Sequence, residues 1–403
     1  MQNVKLIIGA SYGDEGKGLA TDFFGAKAQR QGTINVLTNG GPQRGHTVEL
    51  EDGRRHVFKH FGAATFRGAA TYFAEQFMVN PMELIREYDA LCAVHKAPES
   101  YMNPRCRFTT PWDMLVNQLH LKKQGIHNSC GFGIWETVLR YQRGFGLPVS
   151  TFLGMGREDR IAGLKALRDQ YFVKRLRELG LTTPDGRSGS CPDERELLNF
   201  FFAEELLLHF EEDCESMRYL CPFREDDYLR KYQTVLFENA QGLLLDGNSE
   251  KEKDFTTPST TGAGRVFQTV ENVFDGADVE IVYVTRSYLT RHGDGSMENE
   301  IEKARLAQKL PGVMADLTNV ENRFQGNLRY GMMDVDSLTE RIAADFTPCT
   351  RAAANRYHAS VMVTHLNEHA GIDTDRLLRR FGTLYLSDGR TCRDVHINTA
   401  RIR

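Results

Sequence analysis

The sequence predicts an α/β fold: a mostly parallel central sheet with a P-loop-like glycine loop and a helical insertion. Near the N-terminus, the apolar run "VKLIIGA" precedes a glycine-rich segment, a stretch with helical spacing and a second apolar run, "TINVLTNGG". This strand–helix–strand order is typical of parallel sheets. Residues 151–234 are instead dominated by amphipathic helical patterns, and short apolar runs return after them.

The individual elements follow in chain order. Apolar residues recur at helical spacing in "GLATDFFGAKAQRQG", between the first two strands, and "VFKHF" reads as a further short strand. Two amphipathic helices are predicted from "DRIAGLKALRDQYFVKRLREL" and "DERELLNFFFAEELLLHFEE", with "TTPDGRSGSCP" as the loop between them. Buried strands are then predicted from "YQTVLFENAQGLLLDG", "VEIVYVTRSYL" and "ASVMVTHLNEH".

Composition excludes several classes of partner. The 403 residues carry a net charge of −4, which gives no electrostatic reason to expect nucleic acid or an anionic membrane as partner. No run approaches the roughly 20 apolar residues of a spanning helix, and the chain begins as a strand rather than a signal peptide. The eight cysteines are scattered without CxxC or metal-ligand spacing. We therefore expect reduced thiols and a cytoplasmic protein.

The segment "YGDEGKG", residues 12–18, has some features that favour phosphate binding and others that oppose it. Three glycines in six residues indicate close approach of a ligand to the backbone, or positive φ, and Lys17 among backbone amides favours phosphate. Asp14 and Glu15 would repel an anion, so these residues alone leave the two signs of charge unreconciled. The spacing GxxxxGK[ST] is absent, which disfavours an ordinary kinase-type P-loop. A glycine turn with two solvated acids is the alternative.

A second glycine segment, "TNGGPQRGHTVE" at residues 38–49, follows the next predicted strand and places His46 directly after Gly45. Histidines are more often structural than catalytic. However, two glycine loops that end adjacent strands would bring Asp14 and His46 together. Such a pair suits general acid–base chemistry.

Taken together, "GDEGKG" and "GGPQRGHTV" resemble the adenylosuccinate synthetase family. Five later segments resemble the family's motifs in the same order: "FENAQGLLLD", "TTPSTTGAG", "YLTRHGDG", "NLRYGMMD" and "SDGRT". Members of the family join aspartate to carbon 6 of IMP while hydrolysing GTP. The resemblance thus implies a purine nucleoside monophosphate, an NTP (GTP or ATP) and L-aspartate as substrates, Mg²⁺ as cofactor, and a homodimer.

The resemblance also implies roles for individual residues. Asp14 would take the proton from purine N1, His46 would donate to the transferred γ-phosphoryl group, and Lys17 would neutralise phosphate charge. Asp14 and Gly45 would hold the metal. The expected NTP and phosphate contacts are Gly13, Glu15, Gly16, Gly18, Gly45, Thr47, Thr364 and Asn367. The expected purine monophosphate contacts are Gln43, Ser129, Cys130, Arg143, Gln241 and Thr256, and Arg329 and Arg323 are expected to bind the amino acid.

Departures from the family's pattern leave the substrates open. Where the family reads guanine with an aspartate, this chain has Asn367, so ATP is as credible a donor as GTP. In the segment "NSCGFGIWE", Ser129 and Cys130 replace threonines and Phe132 replaces an arginine; Arg140 or Arg143 is expected to contact the monophosphate. Retention of Asp14 favours IMP or dIMP, whereas phage relatives that act on dGMP have a small residue there.

Two alternatives remain beside this ligase: an NTP-dependent kinase or ligase with another acceptor, and a nucleotide-sensing protein without catalysis. Within the ligase reading, (d)GMP with ATP is the runner-up, giving 2-aminoadenylosuccinate. We expect three parts of the chain: a first part of the nucleotide-binding α/β core (1–150), a helical insertion or interface (151–234), and a second part of the core with the base and amino-acid loops (235–403).

Overall fold

The computed structural model describes residues 2–28, 32–124, 129–181, 192–248, 255–313, 328–351, 353 and 355–400. The strands in these ranges are Asn3–Gly9 (β1), Thr33–Leu37 (β2), His46–Glu49 (β3), Arg55–Phe58 (β4), Ala70–Phe73 (β5), Met78–Val79 (β6), Ser100–Met102 (β7), Arg107–Phe108 (β8), Thr234–Gly242 (β9), Asp278–Arg286 (β10), Leu289–Arg291 (β11), Arg329–Gly331 (β12), Arg356–Thr364 (β13), Thr383–Ser387 (β14) and Val395–Thr399 (β15).

The helices of the same ranges are Lys17–Lys27 (α1), Pro81–Val94 (α2), Pro111–Gln124 (α3), Ile134–Gln142 (α4), Val149–Gly154 (α5), Arg157–Ala166 (α6), Val173–Glu178 (α7), Pro192–Phe202 (α8), Glu204–Leu220 (α9), Gly264–Val273 (α10), Leu306–Lys309 (α11), Val335–Thr350 (α12) and Thr374–Phe381 (α13). None of these helices is long and apolar enough to cross a membrane.

Nine strands of the described chain form the central sheet, in the order β15-β14-β13-β10-β1-β9-β2-β5-β7. Every neighbouring pair is parallel except β14 and β15. Apolar side chains from β1, β9 and β10 are fully buried, as expected for strands covered on both faces. The predicted α/β class with a mostly parallel sheet is confirmed.

The predicted adjacency of the first two strands is wrong, because β9 lies between them. Thr234 of β9 pairs with Asn3 of β1 on one side and with Thr33 of β2 on the other. Parallel strands are connected by crossovers rather than by short turns. Neighbours in such a sheet therefore need not be consecutive in the chain, and a later buried strand such as β9 can lie beside β1. The two glycine loops therefore flank the carboxyl end of β9 instead of lying side by side.

The predicted strand "VFKHF" lies outside the central sheet. Its first residues belong to β4, which pairs antiparallel with β3, from His46 opposite Phe58 to Glu49 opposite Arg55. Gly53, with φ of 84°, makes the tight turn between them. A short turn favours pairing of the two strands it connects, so this pair forms a hairpin and His46 is its first residue.

The helical region departs from its prediction in two respects, and the first is a π-helical segment, Leu167–Phe172, that separates α6 from α7 within the first predicted helix. Its second predicted helix is divided into α8 and α9 by Ala203, whose ψ of 129° is extended. The Nε1 of buried Trp112 donates to the carbonyl of Phe201 at 2.9 Å, which occupies an acceptor at the end of α8. Most of the connecting loop, residues 182–191, lies outside the described residues.

The helical region packs on the first half of the chain. Phe172, Phe201 and Phe210 lie in one apolar cluster with Trp112 and Val116 of α3. All seven cysteines in the described ranges are free thiols, as predicted.

Candidate active site

The first glycine loop runs from the end of β1 into α1, and its two acidic side chains point in different directions. Oε1 of Glu15 accepts from the backbone amides of Ser11 (2.9 Å) and Gly13 (2.8 Å), and Oε2 lies 3.1 Å from Nζ of Lys17. Lys17 also donates to the carbonyl of Gly13. The Glu15 carboxylate thus braces its own loop, whereas the Asp14 side chain is 28% exposed.

The first loop is packed directly against its neighbours. A Cβ on Gly18 would lie 2.5 Å from the carbonyl oxygen of Thr47, and one on Gly242 would lie 2.3 Å from that of Ser11. The backbone of Gln241 has a φ of 65°, in the left-handed region that non-glycine residues rarely adopt. Such strained positions cluster at binding sites. The backbone of the first loop and the start of α1 therefore approach the backbone of β3 on one side and the end of β9 on the other.

Three buried side chains form a cluster behind the second glycine loop. Nδ1 of His46 contacts Oε1 of Glu238, and Nη2 of Arg44 lies 2.5 Å from the same oxygen. Burial opposes ionisation of Glu238, but Arg44 and His46 outweigh it and hold the pKa of Glu238 at about 2. Burial and the positive charge of Arg44 lower the pKa of His46 to about 4. The imidazole is therefore neutral at pH 7.

The two loops open onto a cleft of about 640 Å³. Nine of the residues predicted from the sequence line it: Gly13, Asp14, Gln43, Gly45, His46, Ser129, Cys130, Gln241 and Thr256. Its far wall comes from α3 and α4 and from Arg175 of the helical region. The cleft therefore joins segments that are distant in the chain.

Among the described residues, most of the buried polar side chains with an atom that has no hydrogen-bond partner line the cleft. They are Oε1 of Gln43, Nε and Nη1 of Arg44, Nδ1 of His120, Oγ1 of Thr257 and Nδ1 of His292. Leaving such a group unpaired costs about 1–3 kcal/mol, so native structures contain few of them. Their concentration around the cleft is what a polar ligand site requires.

Comparison with known proteins identifies the family of the chain. The family model "Adenylosuccinate synthetase" matches residues 6–347. The chain belongs to the adenylosuccinate synthetase family. Adenylosuccinate synthetases of Clostridium botulinum (Alaska E43) and Clostridium perfringens are 25% and 26% identical over 308 and 316 residues, which are 73% and 74% of this chain. The match covers 65% of the length of each of these curated relatives.

Two solved structures share the fold. The fully ligated adenylosuccinate synthetase of Plasmodium falciparum superposes with a TM-score of 0.65 at 17% identity, over 92% of this chain and 78% of that one. The succinoaminodeoxyadenylate synthetase PurZ of cyanophage S-2L, bound to dGMP and dATP, gives 0.63 at 14% identity, over 98% and 95%.

Several residues matched to the adenylosuccinate synthetase motifs lie behind the cleft wall rather than on it. Lys17, Glu15, Gly16, Gly18 and Thr47 form the first loop and its contact with β3. Thr364 ends β13, and its Oγ1 donates to the carbonyl of Glu15 at 2.8 Å. Asn367 is exposed in the turn that follows.

The predicted arginines lie apart from the cleft wall. Arg329 donates from Nη1 to the carbonyls of Gly293 and Gly295, both at 2.9 Å, and its Nε lies 2.7 Å from Glu300. Gly293 itself lines the cleft, so Arg329 borders it. Arg143 is exposed and pairs with Glu178 at 2.8 Å. Arg323 lies outside the described residues.

Arg140, the other candidate for the monophosphate, is part of the protein interior. Its guanidinium is 1% exposed and lies 3.0 Å from Asp113, with further bonds to the carbonyls of Phe108 and Phe145. These contacts leave it no access to the cleft.

Among the cleft residues that sequence reasoning missed are two pairs of charged or polar side chains. Arg291 and His292 lie within "YLTRHGDG", a segment already matched to the family, so its motif offered the signal; Nε2 of His292 lies 3.7 Å from Oδ2 of Asp14. Glu136 and Arg175 form a bidentate ion pair, with both distances 2.9 Å. Glu136 ends the segment "NSCGFGIWE", but Arg175 comes from the helical region and lies in no motif, so only the fold brings the two together.

The residues predicted to hold Mg²⁺ fit that ion. The Asp14 carboxylate is partly exposed on the cleft wall, and Gly45 lies on the same wall. Magnesium takes one or two carboxylates, water and substrate phosphates rather than a cage of protein ligands. In the described segments no three histidine, cysteine, aspartate or glutamate side chains cluster in a way that could hold a metal ion.

Proposed function

We propose that this chain is a purine nucleotide–aspartate ligase that activates the purine 6-oxygen with an NTP. The supporting observation is that Asp14, His46 and Gln241, from three separate segments, line one cleft. The leading reaction converts IMP or dIMP and aspartate to adenylosuccinate or its deoxy form. The runner-up uses (d)GMP with ATP and gives the 2-amino product.

The chemistry has two steps. The 6-oxygen attacks the γ-phosphorus, the bond to the β-phosphate oxygen breaks, and the nucleoside diphosphate leaves. The amine of aspartate then attacks carbon 6, and the oxygen departs with the phosphate. Asp14 accepts the N1 proton in the first step, which increases the negative charge on the attacking oxygen. A positioned base of this kind contributes about 10²–10⁴-fold.

The triphosphate is proposed to bind where the first loop meets α1. Glu15 already occupies the amides of Ser11 and Gly13, so the amides at residues 15–18, at the start of α1, are the donors available to phosphate. Lys17 lies within the same loop and supplies positive charge. His46 faces the transferred group through Nε2, and the negative charge of that group favours a proton on this nitrogen.

Asp14 and Gly45 would hold Mg²⁺ in this scheme. When bound, the ion offsets the charge of the phosphates, which reconciles the Asp14 carboxylate with an anionic ligand.

The other predicted residues are proposed to bind the monophosphate and the amino acid. Gln43, Gln241 and Thr256 are proposed to bind the purine monophosphate beside Ser129 and Cys130, and Arg329 the amino-acid carboxylates. Asn367 lies at the position that reads the donor base and is uncharged, so ATP is proposed beside GTP. The dGMP and dATP bound by the cyanophage protein make both nucleotides necessary members of any test.

One observation favours a second function, an NTP-dependent kinase or ligase with a different acceptor. The cleft wall near Ser129 and Cys130 carries the buried Glu136 carboxylate, while Arg140 and Arg143 point elsewhere. Arg175 already neutralises Glu136, so neither of the predicted arginines supplies a cation to a monophosphate at this wall.

The deciding experiment incubates the protein with aspartate, Mg²⁺ and each pairing of IMP, dIMP, GMP or dGMP with ATP, dATP or GTP. Phosphate release and the absorbance change of the succinylated purine are followed together. Both signals in one pairing support the ligase and name its substrates. Phosphate without succinylated product supports the second function, and nucleotide binding without either signal contradicts both. Sedimentation of the same sample tests the proposed homodimer.

A further inference from the structure

Arg44 is an internal cation with an incomplete set of partners. Its side chain is 1% exposed, and only Nη2 is paired, with Oε1 of Glu238 at 2.5 Å and beside Nδ1 of His46 at 2.9 Å. Nε and Nη1 have no hydrogen-bond partner. Burying a guanidinium with two unpaired nitrogens costs free energy, so a functional role for Arg44 is worth seeking.

The structural arginine Arg140 shows the contrast. It is equally buried, but Nε and Nη2 reach Asp113 and both terminal nitrogens also bond to main-chain carbonyls, so it ties α4 to three other segments. Arg44 touches no main-chain carbonyl through its guanidinium in the described structure. Its polar contacts lead only to Glu238 and His46.

The geometry of this cluster determines which ring nitrogen of His46 carries the proton. Oε1 of Glu238 contacts Nδ1, and an ionised carboxylate oxygen only accepts, so Nδ1 is the donor in this contact. The other oxygen, Oε2, accepts from the amide of Ala63 at 3.0 Å, which fixes the carboxylate plane. Nε2, on the opposite side of the ring, is then the nitrogen directed away from Glu238 and available to the cleft.

We propose that Arg44 is a positioning residue: its guanidinium holds the Glu238 carboxylate against Nδ1 of His46 and so fixes the tautomer that presents Nε2 to the cleft. The catalytic consequence rests on the proposed function, because His46 is the group that faces the transferred phosphoryl there. The tautomer itself is a property of the ligand-free chain.

The test uses Arg44→Met with the full-length protein. Nitrogen spectra of ¹⁵N-histidine-labelled protein, with the His46 signal assigned by loss in His46→Asn, report the tautomer without any substrate. We expect one Nδ1-protonated form in the unmodified chain and loss of that single form in Arg44→Met. We further expect kcat to fall by about 100-fold, the lower end of acid–base contributions, while KM for the monophosphate changes less than twofold. Arg44→Lys, which keeps a cation beside Glu238, should recover part of both signals.

The controls separate positioning from folding. Arg140→Met is expected to lower the melting temperature, whereas Arg44→Met is expected to lower it less; if Arg44→Met does not fold, Arg44→Gln carries the comparison. An unchanged His46 spectrum in the uncharged variant overturns the proposal, as does a raised KM at constant kcat, which would make Arg44 a ligand contact. If the unmodified chain shows no ligase turnover, the proposed function fails, and the ligand-free spectra still decide the role of Arg44.

Discussion

Oε2 of Glu15 lies 3.1 Å from Nζ of Lys17, and this ion pair is turned into the first glycine loop, with both side chains at most 4% exposed. The pair explains why two acids follow one another in a loop proposed to bind phosphate. Glu15 holds the loop closed from inside, and Asp14 faces the cleft.

The first prediction concerns this ion pair. Glu15→Gln removes the counter-ion of a buried ammonium, so it is expected to lower the free energy of unfolding by about 3 kcal/mol. Urea denaturation measures the loss. Lys17→Met and the double variant complete a double-mutant cycle, and a coupling energy near zero would contradict the pairing.

The second prediction concerns Asp14, the neighbouring acid. Asp14→Asn keeps the shape of the side chain and removes its ability to accept a proton. We expect turnover to fall by about 10²–10⁴-fold with little change in the free energy of unfolding. Turnover that persists in Asp14→Asn would show that another group accepts the N1 proton. Glu225→Gln, at an exposed acid that does not line the cleft, is the control and should leave turnover unchanged.

The third prediction is a pH dependence of stability carried by Glu87. Its buried carboxylate accepts from Nε2 of His56 at 3.2 Å and from the backbone amides of Lys59 and His60. Burial opposes ionisation, but the hydrogen bonds from His56 and His60 outweigh it and lower the pKa of Glu87 to about 2.

Because the folded pKa lies below the ordinary value of 4.5, this contribution is present above pH 4.5 and is lost as the pH falls towards 2. Urea midpoints between pH 7 and 3 should therefore fall less steeply in Glu87→Gln than in the unmodified chain. Glu225→Gln, at a side chain that is 61% exposed, should leave the slope unchanged. Equal slopes in all three proteins would contradict the assignment.

The fourth prediction uses the two tryptophans of the chain. Trp135 is 50% exposed on the cleft wall, whereas Trp112 is fully buried in the core. Binding of IMP or dGMP is expected to change the emission of Trp135, and the change should disappear in Trp135→Phe. A ligand-induced change that survives in Trp135→Phe would place the binding site elsewhere. Trp135→Phe should not alter the urea midpoint, because the ring is half exposed.

Much of the local structure and part of the site were predictable from the sequence. The order β1, glycine loop, α1, β2 follows from apolar spacing and glycine positions within about 30 residues, and these are properties of neighbouring residues. Asp14, His46 and Gln241 were recognisable because each lies in a short segment with the family's pattern. Their presence on one wall of the cleft follows only from the fold.

Tertiary structure alone decided the arrangement around them. The sequence placed the two glycine loops on adjacent strands, but β9, from about 200 residues further along, lies between β1 and β2 and brings Glu238 to His46 at a separation of 192 positions. Nothing in the residues showed that Glu15 turns inward, or that Arg175 of the helical region reaches the cleft. Helical and strand periodicity encode which face of a segment is buried, whereas strand order and long-range ion pairs depend on how all the segments pack together.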